Sequence, residues 1–492
     1  MKTFFFYDLE TSGIDSRRDQ IMQFAGQRTS LEMEPIGDPV NFYVKMNKER
    51  LPSVGACLIT GISPQETLPD GLTEQEACQY LMSDVFTQDT IAVGFNNVRF
   101  DNEFLRHMFF RNFYDPYEWG WKDGRETWDI LDLVRMVRAL RPDGIEWGFN
   151  EDGRATNRLV VLAELNGVVH EKAHDALSDV GATIAVAKLL LEKQPKLFEW
   201  LLSMRDKKTI QKMVGEMKPI VYTSGKYDEK FDKTTVVLPI HVSAREAVVW
   251  DLRYSPEEFL KMSDDELRDL IFTWNNEGVY EKYKKGEIQK VPVKALKFNK
   301  CPAIAPLGVL EKEDGWEKIG LTKETVAANE KILKENGVFI KRILKIFADR
   351  PEYKDNSGEE AVRLPEIAEE KLYEAFGDNN DRINSEITQM ADKALAAKWA
   401  GDTESAPRFL DSRLNEILPR YLARNFYAKL PQKAQDEYDA WRRPRIEIMK
   451  PGFDKDLMSA MTDNADEADE KKQKREAFVL ENLRLWLDDV LS

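Results

Sequence analysis

A chain of 492 residues exceeds the size at which one hydrophobic core stops growing, so two or three domains are expected. Hydrophobic residues at 42%, aromatics at 10% and charged residues at 32% describe a folded globular protein and exclude disorder of the whole chain. A formal net charge of -16 speaks against a polyanionic partner on average, yet one basic groove in an acidic remainder would still accept one.

The first predicted strand covers residues 3–8, and Asp8 and Glu10 cut its apolar run Phe4-Phe5-Phe6-Tyr7 far short of a secretory segment. Further strands are expected over 21–29, 40–46 and 91–95, all rich in Phe, Tyr, Val or Ile. Helical periodicity takes over at 100–109, 127–137, 159–165 and 176–191. Strands followed by helices packed upon them predict an α/β domain over 1–195. Short β-rich runs at 220–223, 234–242, 247–253 and 291–298, parted by charged or Gly-containing turns, predict a small barrel or sheet domain over 196–350. One long helix is expected over 323–347, then a polar linker with Pro and Gly over 349–358. From 359 onward Ala, Leu, Glu, Lys and Arg dominate, so 358–492 is expected to be all-helical. Its run 463–475, acidic and then basic, reads as a solvated helix face with charge pairs. Cys57, Cys78 and Cys301 are too few and too scattered for a disulfide framework or a Cys-type zinc site, which fits a reducing cytoplasm. No stretch is long enough to span a bilayer.

Three short motifs carry chemistry. In Phe6-Tyr7-Asp8-Leu9-Glu10-Thr11, strand alternation puts Asp8 and Glu10 on one face, about 7 Å apart along the chain. Two such carboxylates repel unless a cation sits between them, and hard ions such as Mg²⁺ prefer oxygen ligands. An edge strand with two solvated acids would read the same way. In Gly94-Phe95-Asn96-Asn97-Val98-Arg99-Phe100-Asp101, Asn97 is a candidate N-cap and Asp101 falls in the first helical turn, where the helix dipole favours a negative charge. A capping carboxylate would look alike. In Ala173-His174-Asp175-Ala176-Leu177-Ser178-Asp179, His174 and Asp179 would splay about 140° apart on one helix. They converge only if the helix starts between them, with Asp175 as the candidate N-cap.

In this order and on these elements, the residues resemble the acidic exonuclease superfamily called DEDDh, whose fold is RNase H-like. The resemblance implies that Asp8, Glu10, Asp101 and Asp179 hold two metal ions, Mg²⁺ with Mn²⁺ as a substitute, and that His174 is the general base. Two ions about 3.5–4 Å apart can clamp the attacking and leaving oxygens of an in-line displacement. A histidine with an unperturbed pKa near 6.5 can take the water's proton at neutral pH.

A closer similarity runs the whole chain. Leu58-Ile59-Thr60-Gly61-Ile62-Ser63-Pro64-Gln65-Glu66, Arg111-Asn112-Phe113-Tyr114-Asp115-Pro116-Tyr117, Ala139-Leu140-Arg141-Pro142, Asn299-Lys300-Cys301-Pro302 and Ala423-Arg424-Asn425-Phe426 resemble the bacterial exodeoxyribonuclease I family. That implies an α/β, RNase H-like exonuclease domain, an SH3-like β-containing domain and an all-helical C-terminal domain, arranged as a C-shaped clamp. It implies 3′-to-5′ degradation of single-stranded DNA to 5′-mononucleotides, in DNA repair and recombination, by a monomer.

The sequence suits such a substrate in its own terms, because Arg99, Arg106, Arg111, Tyr114, Tyr117, Trp119, Trp121 and Arg125 interleave cations with rings. Any of these rings fits a core position equally well. The resemblance implies Arg106, Tyr117, Trp121, Arg135 and His174 as DNA contacts, with Glu10 and Arg158 near the terminal nucleotide. Arg158 also fits an ordinary surface position. The resemblance further implies binding of the acidic C-terminal tail of the single-stranded-DNA-binding protein, with Arg141 as the contact. The loops 147–155 and 224–232 and the helical domain depart most from the family pattern. An RNA-trimming or editing DEDDh exonuclease is one rival, disfavoured by the large middle and distal domains. A noncatalytic single-stranded-DNA-binding or recruitment module is the other, disfavoured by the intact acidic set.

Overall fold

The computed structural model describes residues 2–168, 176–351, 364–371, 393–409, 412–465, 467 and 469–491. The chain forms two compact units. The first comprises Met1–Thr127, Val169–Ala185 and Glu360–Ser492, and the second Trp128–Val168 and Val186–Glu359.

In the first unit, Phe4, Phe5, Phe6 and Tyr7 are all buried because β1 (Thr3–Thr11) is the middle strand of a five-stranded sheet covered on both faces. The strand order is β3-β2-β1-β4-β5, with β2 (Ile21–Thr29), β3 (Val40–Tyr43), β4 (Thr90–Gly94) and β5 (Glu126–Asp129). β1 pairs antiparallel with β2 and parallel with β4. Phe5, Tyr7 and Leu9 enter a core with Phe24, Phe86, Phe104, Phe109 and Trp119. Alternation therefore leaves Asp8 and Glu10 on the opposite face.

Two helices that the apolar pattern did not announce are set by their caps. Ser53 accepts from the Ala56 amide to open α1 (Val54–Thr60), and a Thr73–Glu76 capping box opens α2 (Glu74–Tyr80). The next helix, α3, spans Asp101–Arg111. The helix expected from residue 127 starts later. Thr127 and Trp128 lie in β5, Asp129 Oδ1 accepts from the Leu131 amide at 3.0 Å, and α4 runs over Leu131–Leu140.

The distal part is helical as expected, in Lys393–Gly401, Ser412–Phe426, Gln432–Ala465 and Glu470–Leu491. These helices share cores with the sheet domain: Phe110 and Phe113 pack with Tyr421 and Leu422, and Met22, Met46 and Cys57 with Phe453, Leu483 and Trp486. Within 463–475 cations form exposed pairs such as Lys474–Glu470. Arg475 also reaches back to Glu66 at 2.8 Å.

The second unit carries an antiparallel sheet in the order β10-β6-β7-β8-β9, formed by β6 (Ile220–Thr223), β7 (Thr234–Val242), β8 (Glu246–Asp251), β9 (Val293–Lys297) and β10 (Ala303–Pro306). β10 was not expected: Ala-Ile-Ala-Pro has little β-branched density, and pairing with β6 creates it. α4 packs on β6, β7 and β10. The single helix expected over 323–347 is two, Lys323–Glu335 and Gly337–Ala348. Asn336 leaves the helical region (ψ 52°), and its side chain donates to the Ile332 carbonyl at 2.8 Å. Beyond Pro351 the expected linker lies outside the described residues. Cys57, Cys78 and Cys301 are free thiols, and no helix among the described residues is long and apolar enough to cross a membrane.

Candidate active site

The parallel register pairs residues 3–6 of β1 with residues 90–93 of β4, so Asp8 and Glu10 project beyond the carboxyl end of β4. Open α/β sheets hold ligands at that end. Opposite β2, the register slips between Glu10 and Thr11. Such a bulge strengthens the local twist and re-aims the neighbouring side chain.

The chain leaves β4 at Gly94, makes a short turn over Asn97–Arg99 and enters α3 at Asp101. Asp101 lies in the first helical turn as expected. Asn97 is not its cap. Phe100 holds that place, and the fully buried Asn97 side chain donates to the Tyr7 hydroxyl at 3.4 Å. Gly94 permits this, since a Cβ there would stand 2.6 Å from the Cβ of Asn97. Tyr7, stacked on Phe24 at 5.8 Å, donates in turn to Asn102 Oδ1. The sequence did not announce this triad; its only signal was that Tyr7 directly precedes Asp8 and Asn102 directly follows Asp101.

Asp179 lies in the first turn of the helix Ala176–Lys193. One ligand oxygen each from Asp8, Glu10 and Asp179 lie within 4.8 Å of one another. Glu10 and Asp101 are buried, at 7% and 5% exposure. Burial first, then the charges of Asp101, Glu10 and Asp179, hold the Asp8 carboxyl well above the usual carboxylate range. A donor set made only of hard, mutually repelling carboxylate oxygens fits divalent ions of the Mg²⁺ class, whose charge would relieve that repulsion. His174 and Asp175 lie outside the described residues.

The interleaved cations and rings divide sharply. Trp119 is core at 1% exposure, and Arg111 is buried against Glu74 at 2.6 Å, which pushes the Glu74 carboxyl down to about 2 despite its burial. Arg125 is also buried, donating to the Phe86 carbonyl at 3.2 Å. Tyr114 packs against the core that holds Phe109. Arg99 and Trp121 are exposed, whereas Arg106 and Tyr117 are only partly so. Arg106 bonds Glu103 at 2.5 Å and lies 5.3 Å from the Tyr117 ring centroid, while Trp121 is 64% exposed.

Arg135, Arg141 and Arg158 belong to the second unit. Arg135, on α4, donates to Asp132 at 2.6 Å, and its guanidinium lies so close to Gly225 that a Cβ there would stand 2.9 Å from Nη1. Arg141 donates to the Val309 carbonyl at 2.8 Å and stands 3.4 Å from Glu313. Arg158 is exposed just before the helix Leu159–Leu165.

Comparison with known proteins places three family descriptions along the chain: Exonuclease over residues 5–187, Exonuclease I SH3-like domain over 205–349 and Exonuclease I C-terminal domain over 366–490. Exodeoxyribonuclease I of Haemophilus influenzae is 35% identical over 472 residues, covering 95% of this chain and 95% of the relative. The Escherichia coli K12 enzyme is 36% identical over 464 residues, covering 92% and 90%. Among solved structures, E. coli Exonuclease I in complex with a dT13 oligonucleotide matches with a TM-score of 0.87 at 32% identity, over 100% of both chains. A moderately thermophilic Exonuclease I from Methylocaldum szegediense matches with a TM-score of 0.86 at 32% identity, again over 100% of both chains.

Proposed function

The chain belongs to the exodeoxyribonuclease I family and is an exonuclease; from that premise we propose that it releases 5′-mononucleotides from the 3′ end of single-stranded DNA. The observation that carries the reading is the convergence of Asp8, Glu10 and Asp179, with Asp101 acting on Asp8, beyond the carboxyl end of β4. Solved E. coli relatives with dA16 and dT13 oligonucleotides support the choice of substrate.

Asp8, Glu10, Asp101 and Asp179 would hold two Mg²⁺ ions, with Mn²⁺ able to substitute. When bound, such ions make water more acidic and stabilise charge on the leaving oxygen. His174 takes the proton of the attacking water, a task suited to an imidazole near its ordinary pKa. Glu10 and Arg158 position the terminal nucleotide. Arg106 and Arg135 hold phosphates while Tyr117 and Trp121 stack bases of any sequence, which needs no base-specific contact.

The exonuclease, SH3-like and helical domains are assigned to 1–195, 196–350 and 358–492. Arg141 is the contact for the acidic tail of the single-stranded-DNA-binding protein, a tail carboxylate taking the place of Glu313 at its guanidinium. The free thiols suit a reducing cytoplasm, where the monomer serves DNA repair.

The experiment compares 3′-labelled, 5′-labelled and circular single strands of DNA and RNA, in Mg²⁺ and in EDTA. Mononucleotide release from the 3′ label, dependent on Mg²⁺ and absent on circles, is expected. Cutting of circles, or digestion in EDTA, would overturn the reading. Asp8→Ala, Glu10→Ala, Asp101→Ala and Asp179→Ala should each abolish most turnover with the fold retained, while His174→Ala should still bind metal and DNA.

A further inference from the structure

β3 is an end strand of its sheet, so one of its two edges has no strand beside it. At the far end of that edge the Tyr43 carbonyl accepts from the Leu72 amide and the Lys45 amide donates to the Leu72 carbonyl, both at 2.8 Å. The period of a strand then turns the Asn41 amide and carbonyl the same way, away from β2. Among the described residues, none takes the place beside Asn41 that Leu72 takes beside Tyr43. Backbone groups left open on an edge are a template for an added strand.

This edge borders a groove of about 640 Å³, with Asn41 and Phe42 on one side and Glu76, Tyr80 and Asp84 on the other. The second wall is α2 and the turn that continues it. That turn is widened: the Phe86 amide donates to the Leu81 carbonyl five residues back, at 2.7 Å. Such π turns are rare and are found frequently at functional sites.

Charge decides what the groove accepts. Asp70, Glu76 and Asp84 line it, and no Lys or Arg does. Lys45 lies outside the lining, its stem beside Gly71. Glu76 is committed to the capping box with Thr73, and Asp84 accepts from the neighbouring Ser83 hydroxyl. Asp70 and Asp84 are exposed and, among the described residues, pair with no cation. Tyr80, 37% exposed, meets Phe42 edge-on with ring centroids 5.7 Å apart. An exposed ring beside carboxylates suits a guanidinium, which stacks on the one and bonds the other. The same carboxylates repel a phosphate backbone and an acidic peptide alike. β3 has four residues, and Pro39 just before it has no amide to donate, so the open edge is too short to seat the sheet of a second copy.

We propose that this groove binds an extended, arginine-bearing segment of another protein. The segment pairs its backbone with Asn41 and sets its cations against Asp70, Asp84 and the Tyr80 ring. Its charge distinguishes it from the DNA substrate and from the acidic tail assigned to Arg141.

The test uses the full chain and a fluorescein-labelled probe peptide in which Arg and Val alternate, read by fluorescence anisotropy. Saturable binding is expected, and amide hydrogen exchange around Asn41 should slow when the peptide is present. Methylating the backbone nitrogens of the peptide blocks strand pairing, and placing Glu for Arg reverses its charge. Either change should weaken Kd by about tenfold or more. Asp70→Asn together with Asp84→Asn should weaken binding of the Arg peptide to a similar extent, with an unchanged melting curve and unchanged Mg²⁺-dependent release of mononucleotides. No binding of the Arg peptide, or equal binding of its methylated and Glu forms, would overturn the proposal. Exchange slowed only in other segments would overturn it as well, and that measurement needs no variant. Dimerisation of the parent with protection of the Asn41 amide would give the edge to a second copy, which is contrary. So is displacement of the peptide by a short oligothymidylate, which would assign the groove to DNA.

Discussion

The Tyr7 hydroxyl donates to Asn102 Oδ1, joining the residue before Asp8 on β1 to the residue after Asp101 on α3. Two carboxylates from distant parts of the sequence are thereby held by one buried contact between their neighbours. Tyr7→Phe removes the hydroxyl and leaves Asn102 and Asn97 buried beside a ring edge that can neither donate nor accept a hydrogen bond. The expected loss is about 1–3 kcal/mol of stability, read by denaturant unfolding. Turnover should fall further than stability does, because Asp8 and Asp101 lose their mutual alignment. A variant with parental unfolding midpoint and parental kcat would show that the contact aligns nothing.

The proposed ligand role of Asp8 predicts that stability depends on metal. Its folded pKa stands above the unfolded value near 3.9, so in a chelator its contribution is intact below about pH 4 and is lost as pH rises through the folded value. Asp8→Asn should therefore raise the Tm of the metal-free protein at neutral pH. Added Mg²⁺ or Ca²⁺ should raise the Tm of the parent much more than that of the variant. Equal metal-induced shifts in the two proteins would remove Asp8 from the ligand set.

Asp251 gives the second unit its own pH response. Burial pushes this carboxyl up to about 6, against the Thr235 hydroxyl and the Arg253 amide that favour its charge. Raised in the fold, it contributes stability that is whole below about pH 4 and is lost as pH climbs through about 6. Asp251→Asn keeps the Oδ1 acceptor for both donors and should gain on the order of 1–3 kcal/mol over the parent at pH 8, and nothing at pH 4. Unfolding curves at the two pH values decide it; a difference that does not change with pH would be contrary.

Arg111 and Trp121, both read from one cation-and-ring segment, should behave oppositely. Arg111→Ala strands Glu74 at 3% side-chain exposure, and removing one partner of a buried pair typically costs about 3–5 kcal/mol. Trp121→Ala should leave the melting curve unchanged and weaken single-stranded DNA binding by roughly 1–3 kcal/mol, without changing the salt slope. Reversal of these two phenotypes would show that the DNA face has been misplaced.

Much of the candidate site was legible because its rules are local. The period of a strand puts Asp8 and Glu10 on one face, and the acid preference of a first helical turn suits Asp101. The distal helices followed from composition, since Ala, Leu, Glu, Lys and Arg favour helix wherever they accumulate. Tertiary structure decided the rest. Nothing near residue 97 announces that Asn97 turns inward to Tyr7 instead of capping α3, because that choice depends on the space Gly94 leaves beside it. β10 exists through its pairing with β6, and the break at Asn336 through a side-chain bond to the preceding turn. The segment from Arg99 to Arg125 shows the reason most plainly. Arg106 and Arg111 are the same residue type five positions apart, yet one borders the partly exposed Tyr117 ring and the other is buried on Glu74. Local periodicity assigns a side chain to a face, but only the packing of remote elements decides whether that face meets water, DNA or a buried carboxylate.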